Sequence, residues 1–286
     1  MTNWIFLVFF FFVSLGATEP VVREKKHAVA ICAIFQNEAR FLKEWVEYHY
    51  SIGVDHFYLY NNLSADHYKE VLNPYRKKGI ITLIDWPYPT NADGKNWPVI
   101  QTNAYMDNLP KAKKEAKWIA YLDTDEFIVP MKGGSLPAIL EEYKAYGGVC
   151  LNWQCYGTSG VAKVGDNEWM MTRLVYRGFR DNPMNLHVKS IVQPSRIKSI
   201  KNPHNVVYRK DYYQVNERKE RFEGPFSPYV SVDKIRINHY WTRDEEFFYN
   251  VKIPRREKWG GNRHHLIEIN NALNQVKDPV IVKFKP

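Results

Sequence analysis

Apolar residues run unbroken through positions 28–35, then recur at Phe41, Leu42, Trp45, Val46, His49 and Ile52 until Gly53 stops the pattern. The first stretch reads as a strand buried on both faces, the second as an amphipathic helix. Asn37 stands where it can cap that helix. Residues 57–60 are the next apolar run, ending in Asn61-Asn62, and residues 80–86 are a third, closed by Pro87 and Pro89. A helix is predicted over 99–106, open to extension, before apolar runs at 118–122 and 127–129. Strand and helix alternate, which predicts an α/β fold with a mostly parallel sheet and helices on both faces.

After Pro130 the rhythm changes. Residues 136–146 read as a helix, and 148–153, 188–192, 206–208 and 235–240 as short strands joined by loops rich in Gly, Asn and Pro. This half is expected to be an added strand and loop region that closes over the sheet. Thr242-Arg243-Asp244-Glu245 fits a capping box that opens a final helix. Phe247, Phe248 and Val251 would be its buried face and Pro254 its end.

The amino terminus stands apart. Residues 5–13 are apolar without interruption and lead into Ser14-Leu15-Gly16-Ala17. Such a run is too short for a membrane-spanning helix, which needs about 20 residues. It matches the core of a signal peptide, with cleavage expected after Gly16 or Ala17, although no Lys or Arg precedes it. Residues 1–17 are therefore set apart as a leader. The expected location is exported or in a secretory-pathway lumen, with membrane association if the leader is kept as a short anchor.

A hydrophobic share of 45% and a charged share of 25% are those of a globular chain. The net charge of +9 changes the picture more, because it favours a phosphorylated or otherwise anionic ligand. The basic residues are scattered, as in Arg76-Lys77-Lys78 and around 111–117 and 218–221, and no nucleic-acid motif accompanies them. A nucleic-acid partner is therefore not expected. Three cysteines, Cys32, Cys150 and Cys155, make no disulfide framework.

The densest chemistry is Asp123-Thr124-Asp125, which follows the apolar run 118–122. Ligands in open α/β sheets bind at the carboxyl ends of strands. Alternation would put both Asp side chains on one side of an extended segment. Two such carboxylates attract Mn²⁺ or Mg²⁺, which is commonly shared with substrate phosphates. His239, near the end of the run 235–240, is a suitable further ligand. Lys189, beside His187 and with His204 downstream, can neutralise a diphosphate. Asn37 and Glu38 after the first strand suit a base or ribose, and Asn61 with Asn62 after the second converge on the same edge. A haloacid-type phosphatase also places Asp-x-Asp after a strand, but there the strand is the first, whereas here it is the fourth.

Several ordered segments carry a resemblance. They are Asn37-Glu38 with Phe41-Leu42-Lys43-Glu44-Trp45 and Tyr48-His49, Gly53-Val54-Asp55-His56-Phe57, and Tyr60-Asn61-Asn62. Further on come residues 117–127 around the Asp pair, Trp153 with 156–160, 188–192 with Pro203-His204, and 237–241 with Glu245-Glu246-Phe247. Together they resemble glycosyltransferase family 92, over about residues 27–258, leaving 259–286 as a C-terminal tail. The resemblance implies a GT-A fold, a Rossmann-like mostly parallel sheet, with Mn²⁺ (or Mg²⁺) and a UDP-sugar donor. It also implies transfer of a hexose, read as galactose, to a glycan or glycoconjugate acceptor hydroxyl with inversion. Many GT-A enzymes carry an Asp where Asn61 stands here. Inversion needs one general base; Asp166, Glu168, Asp181 and Glu223 are the candidates, with Glu223 and Asp166 put first. Trp153, Trp169 and Trp241 are candidate acceptor-stacking rings. The rival expectation is a carbohydrate-binding protein that kept the fold without catalysis.

Overall fold

The computed structural model describes Met1 and residues 24–90 and 96–284; the leader expected over 1–17 lies outside them, Met1 apart. No helix among the described residues is long and apolar enough to cross a membrane.

The chain opens with β1 (His27–Phe35), α1 (Ala39–Ser51), β2 (His56–Asn61), α2 (Tyr68–Lys77), β3 (Ile81–Asp85), α3 (Trp97–Glu115) and β4 (Ala116–Tyr121). β5 (Glu126–Pro130), α4 (Leu136–Glu141), β6 (Gly148–Cys155), α5 (Met170–Arg173), β7 (Tyr176–Arg177) and β8 (Val188–Val192) follow. Then come β9 (Ile197–Asn202), β10 (Asn205–Tyr208), β11 (Gln214–Val215) and β12 (Ile235–His239). A helical run then joins α6 (Glu245–Phe247), a π turn (Phe248–Lys252) and α7 (Ile253–Glu257), before α8 (Arg263–Ala272) and β13 (Val276–Lys277).

The main sheet is ordered β3-β2-β1-β4-β8-β6-β12-β5, with β11 beside β6. β3, β2, β1 and β4 are mutually parallel, whereas β8 runs antiparallel to both β4 and β6. Alternation along β1 explains the helices on both faces. Val29, Ile31, Ala33 and Phe35 join the cluster that holds Phe41, Leu42 and Trp45 of α1. Ala30, Cys32 and Ile34 join the one that holds Ile100, Ala104 and Tyr105 of α3. The mostly parallel α/β sheet with an added strand and loop region is the expected architecture.

Local details differ from the periodicity. Asn37 does not cap α1: it holds left-handed backbone (φ 56), and the Asp66 carboxylate accepts the Ala39 N–H at 2.8 Å. α2 and β9 add to the expected elements, and their exposed faces interrupt the apolar rhythm. In the last helical run the cap is Asp244, which accepts from Phe247 N at 3.0 Å, not Thr242. Phe247 and Phe248 are buried as expected, but Val251 is exposed. Pro254 does not end the run. It follows a π turn, where the bonding pattern is already changing and a missing N–H is tolerated. Residues after 258 do not hang free: Leu266, Leu273 and Ile281 are buried, and Asp278 pairs with Arg177 and Arg236.

α1 also fixes the strand that leaves the Asp motif. Trp45 Nε1 donates to Glu126 O at 2.8 Å, Tyr48 Oη donates to Ile128 O at 2.8 Å, and His49 Nε2 accepts from Ile128 N at 3.2 Å. His49 Nδ1 therefore carries the proton and donates to Trp45 O at 2.8 Å. Burial pushes this imidazole down to about 3, so it stays neutral while an unfolded His protonates near its ordinary 6.5. The unfolded state then binds more protons below pH 6.5, and stability falls with falling pH by about 1.4 kcal/mol per unit for this one group. Urea midpoints between pH 7 and 4 are expected to carry that slope on top of those of the other buried imidazoles, and His49→Leu is expected to remove about one proton from the total. An unchanged slope in His49→Leu would exclude His49 as its source.

Candidate functional site

The site forms where β4 ends and the chain turns into β5. Glu126 N donates to Asp123 O at 3.2 Å, so Asp123 to Glu126 is a turn and not the extended segment expected. The turn sends the two carboxylates to different partners. Asp123 Oδ2 lies 3.1 Å from Lys189 Nζ, and its other oxygen accepts from Gln101 Nε2. Asp125 Oδ1 lies 3.5 Å from His239 Nε2 and Oδ2 lies 3.7 Å from Lys252 Nζ. Strand register explains the second meeting. β12 pairs antiparallel with β5 and sets His239 opposite Glu126, while Tyr240 N donates to Asp125 O at 2.8 Å.

Lys189 arrives from β8 and is fully buried, behind Asp123 and not open to a diphosphate. It also lies 3.5 Å from Glu126 Oε2, whose oxygen accepts the Asp123 N–H at 2.8 Å. Burial pushes Asp123 up, but Lys189 outweighs it and holds the carboxyl below the usual range. Burial also pushes Asp125 up, and His239, with Lys252 and Arg243, overcomes that and holds it far below. Burial keeps Glu126 well above the usual range against the pull of Lys189. Lys252 is pushed down to about 8 by burial, opposed by Asp125.

Of the residues expected at this edge, Asp123, Asp125, Lys189 and His239 come together. Glu38 is buried and ion-paired with Arg243, which itself holds left-handed backbone (φ 57). Burial, opposed by Arg243, leaves the Glu38 carboxyl raised. Asn37 and Asn61 tie loops together: Asn37 Oδ1 accepts from Ala65 N at 2.8 Å, and Asn61 bonds Tyr68 Oη at 2.9 Å, Asp85 Oδ1 at 3.3 Å and Ser64 N at 3.1 Å. Asp166, Glu168 and Asp181 stand exposed on loops, and Glu223, 84% exposed, pairs with Arg221 at 3.4 Å. No hydrogen bond or ion pair joins any of these four to the Asp pair among the described residues.

The tryptophans are covered. Trp153 is buried between His239 (ring centroids 4.3 Å) and His187 (4.7 Å), with His204 at 5.2 Å. Burial pushes His204 down to about 3. Trp241 lies under Lys252 and Arg256, and Trp169 packs against the core. Glu126, Gln101, Lys252 and Arg243 were missed as members of the site. Glu126 was in plain view within the motif; the others carry no sequence signal, because only tertiary packing brings them there.

No three His, Cys, Asp or Glu side chains converge as a metal cage among the described residues. Asp125 and His239 are nevertheless an adjacent pair, a partly exposed carboxylate and a buried imidazole. That donor chemistry suits Mn²⁺ held by few protein ligands together with substrate phosphates.

The family model for glycosyltransferase family 92 matches residues 25–275. A glycosyltransferase family 92 protein of Ricinus communis is 28% identical over 245 residues, covering 81% of this chain and 39% of that protein. A galactan β-1,4-galactosyltransferase of Arabidopsis thaliana is 30% identical over 168 residues, covering 54% of this chain and 31% of that protein. The chain thus spans less than half the length of these curated relatives. A crystal structure of S. aureus TarS 1–349 overlays with a TM-score of 0.41 at 14% identity, covering 85% of this chain and 69% of that one. With the family model matched along nearly all of its described length, the chain belongs to glycosyltransferase family 92.

Proposed function

We propose that this chain transfers a hexose from a UDP-sugar to a hydroxyl of a glycan or glycoconjugate, with inversion at the anomeric carbon. The observation that carries the reading is the meeting of Asp123, Asp125, Lys189 and His239 at the carboxyl end of β4. Galactose is the favoured sugar, on the likeness to a galactan β-1,4-galactosyltransferase. The apolar leader read from the sequence supports work in a secretory-pathway lumen.

Asp125 and His239 are the residues that would hold Mn²⁺ or Mg²⁺, and the bound ion would supply a Lewis acid for the departing diphosphate. Asp123 is held in place by Lys189 and Gln101. The N–H bond from Asp123 to Glu126 and the Trp45 bond to Glu126 O brace the turn from behind. The protein's contribution is thus preorganised charge at the place where the leaving group forms.

Calorimetric titration of UDP into the chain tests this reading, first with Mn²⁺ and then with EDTA. Mn²⁺ is expected to tighten UDP binding by at least about tenfold, which is about 1.4 kcal/mol. UDP-galactose turnover with a galactan acceptor should follow. If UDP binds under neither condition, the donor reading fails and glycan binding without catalysis takes its place.

A further inference from the structure

Beside Asp125 lies a group of cations that the transfer reading above does not use. Lys252 ends the π turn and Arg256 lies four residues on, so the two share one helix face. Both look onto the Trp241 ring, Lys252 Nζ at 4.9 Å and Arg256 Cζ at 5.9 Å from its centroid. Trp241 is itself two residues beyond His239. Lys252 is buried and meets one carboxylate, Asp125, at 3.7 Å. Arg256 makes no ion pair among the described residues, and its buried Nε has no hydrogen-bond partner among them. Arg243, fully buried on the other side, likewise has an unpartnered Nη1.

Such an arrangement is unfavourable by itself. Like charges four apart on a helix repel, and a buried cation without an acceptor is costly. π turns are rare and concentrate at functional sites. An anion with two or more charges, set between the two side chains, resolves both penalties. A guanidinium also matches phosphate oxygens in a fixed fork, while the ammonium acts as a point charge.

We propose that Lys252 and Arg256 form a clamp for the diphosphate of a nucleoside diphosphate, and that the clamp acts without a metal ion. The clamp deepens the donor reading and rests on it for the nucleoside part alone. The anion it takes is recognised through its phosphates.

The test is calorimetry in EDTA with three probes: inorganic pyrophosphate, UDP and uridine. Arg256→Gln is expected to weaken pyrophosphate and UDP by at least about tenfold and to leave uridine unchanged. Arg256→Lys should recover part of the loss. Lys252→Gln must show the same pattern, which keeps the test open should Arg256→Gln melt early. Equal affinities for pyrophosphate and UDP in folded Arg256→Gln and the unaltered chain overturn the clamp and leave the donor reading standing. If the unaltered chain binds pyrophosphate and UDP alike, and both are lost in Arg256→Gln, the clamp holds and the uridine recognition fails. If it binds neither in EDTA, the clamp is overturned, and Mn²⁺-dependent UDP binding then decides the donor reading separately.

Discussion

Asp125→Ala is expected to lower sugar transfer by at least about 100–1000-fold, the usual effect of removing one preorganised charge-stabilising group. The Asp125 carboxylate touches both His239 and Lys252, at 3.5 and 3.7 Å. Without it His239 stands alone as a metal donor, and one imidazole holds Mn²⁺ poorly. The Mn²⁺-dependent gain in UDP affinity should therefore vanish along with turnover, while uridine binding persists. The fold should survive. Tyr240 N bonds the Asp125 backbone oxygen, which Ala keeps, and the carboxylate is partly exposed. Lys252, already pushed down to about 8, sheds its proton at modest cost once its partner is gone. Asp125→Asn, which keeps the shape, should show the same loss of Mn²⁺ response. Wild-type turnover in either folded variant would remove the metal reading of this turn.

Much of this site is legible in the sequence. The run 118–122, the Asp pair and His239 all stand at strand ends, where chemistry collects in α/β sheets. Lys189 was legible for its charge within an apolar strand, though its place behind Asp123 was not. What the sequence hid were side chains whose role comes from long-range packing. Gln101 reaches Asp123 from α3, and Arg243 reaches Glu38 across more than 200 positions of chain. The turn is hidden from the pattern because strand alternation ends near residue 122, where the Glu126 N–H bond to Asp123 O bends the chain. The expectation for Asn61 failed to foresee saturation: a side-chain amide at a strand end is as well suited to stitching loops as to meeting a ligand. The same limit applies to Trp241, whose ring would suit a sugar but is covered by cations.

Lys189→Met is expected to destabilise the folded chain by about 3–5 kcal/mol, because removing one partner of a buried pair leaves the other uncompensated. The ammonium is fully buried, 3.1 Å from Asp123 and 3.5 Å from Glu126. Burial disfavours its charge, yet the two carboxyls outweigh that and raise it above the ordinary lysine value. Met replaces the stem with similar volume, so the loss is one of charge and not of packing. A loss of this size corresponds to roughly 10 °C in melting temperature. Asp123→Asn on the Lys189→Met background should restore part of the loss, since the stranded carboxylate is then gone, and the coupling should be about 1–3 kcal/mol. The sign with pH follows from Asp123. Its folded value lies below the ordinary 3.8, so its contribution is present above that pH and lost as pH falls through the folded value. The gap between unaltered chain and Lys189→Met should accordingly narrow as pH falls towards 4 and below. Glu126 works against the full figure: burial already raises it, so it takes up a proton when Lys189 is removed and leaves Asp123 as the stranded charge. Urea unfolding of the single and double variants at pH 7 and pH 3.5 measures each of these terms. A melting temperature for Lys189→Met within a degree or two of the unaltered chain would show that Lys189 does not hold the Asp123 turn together.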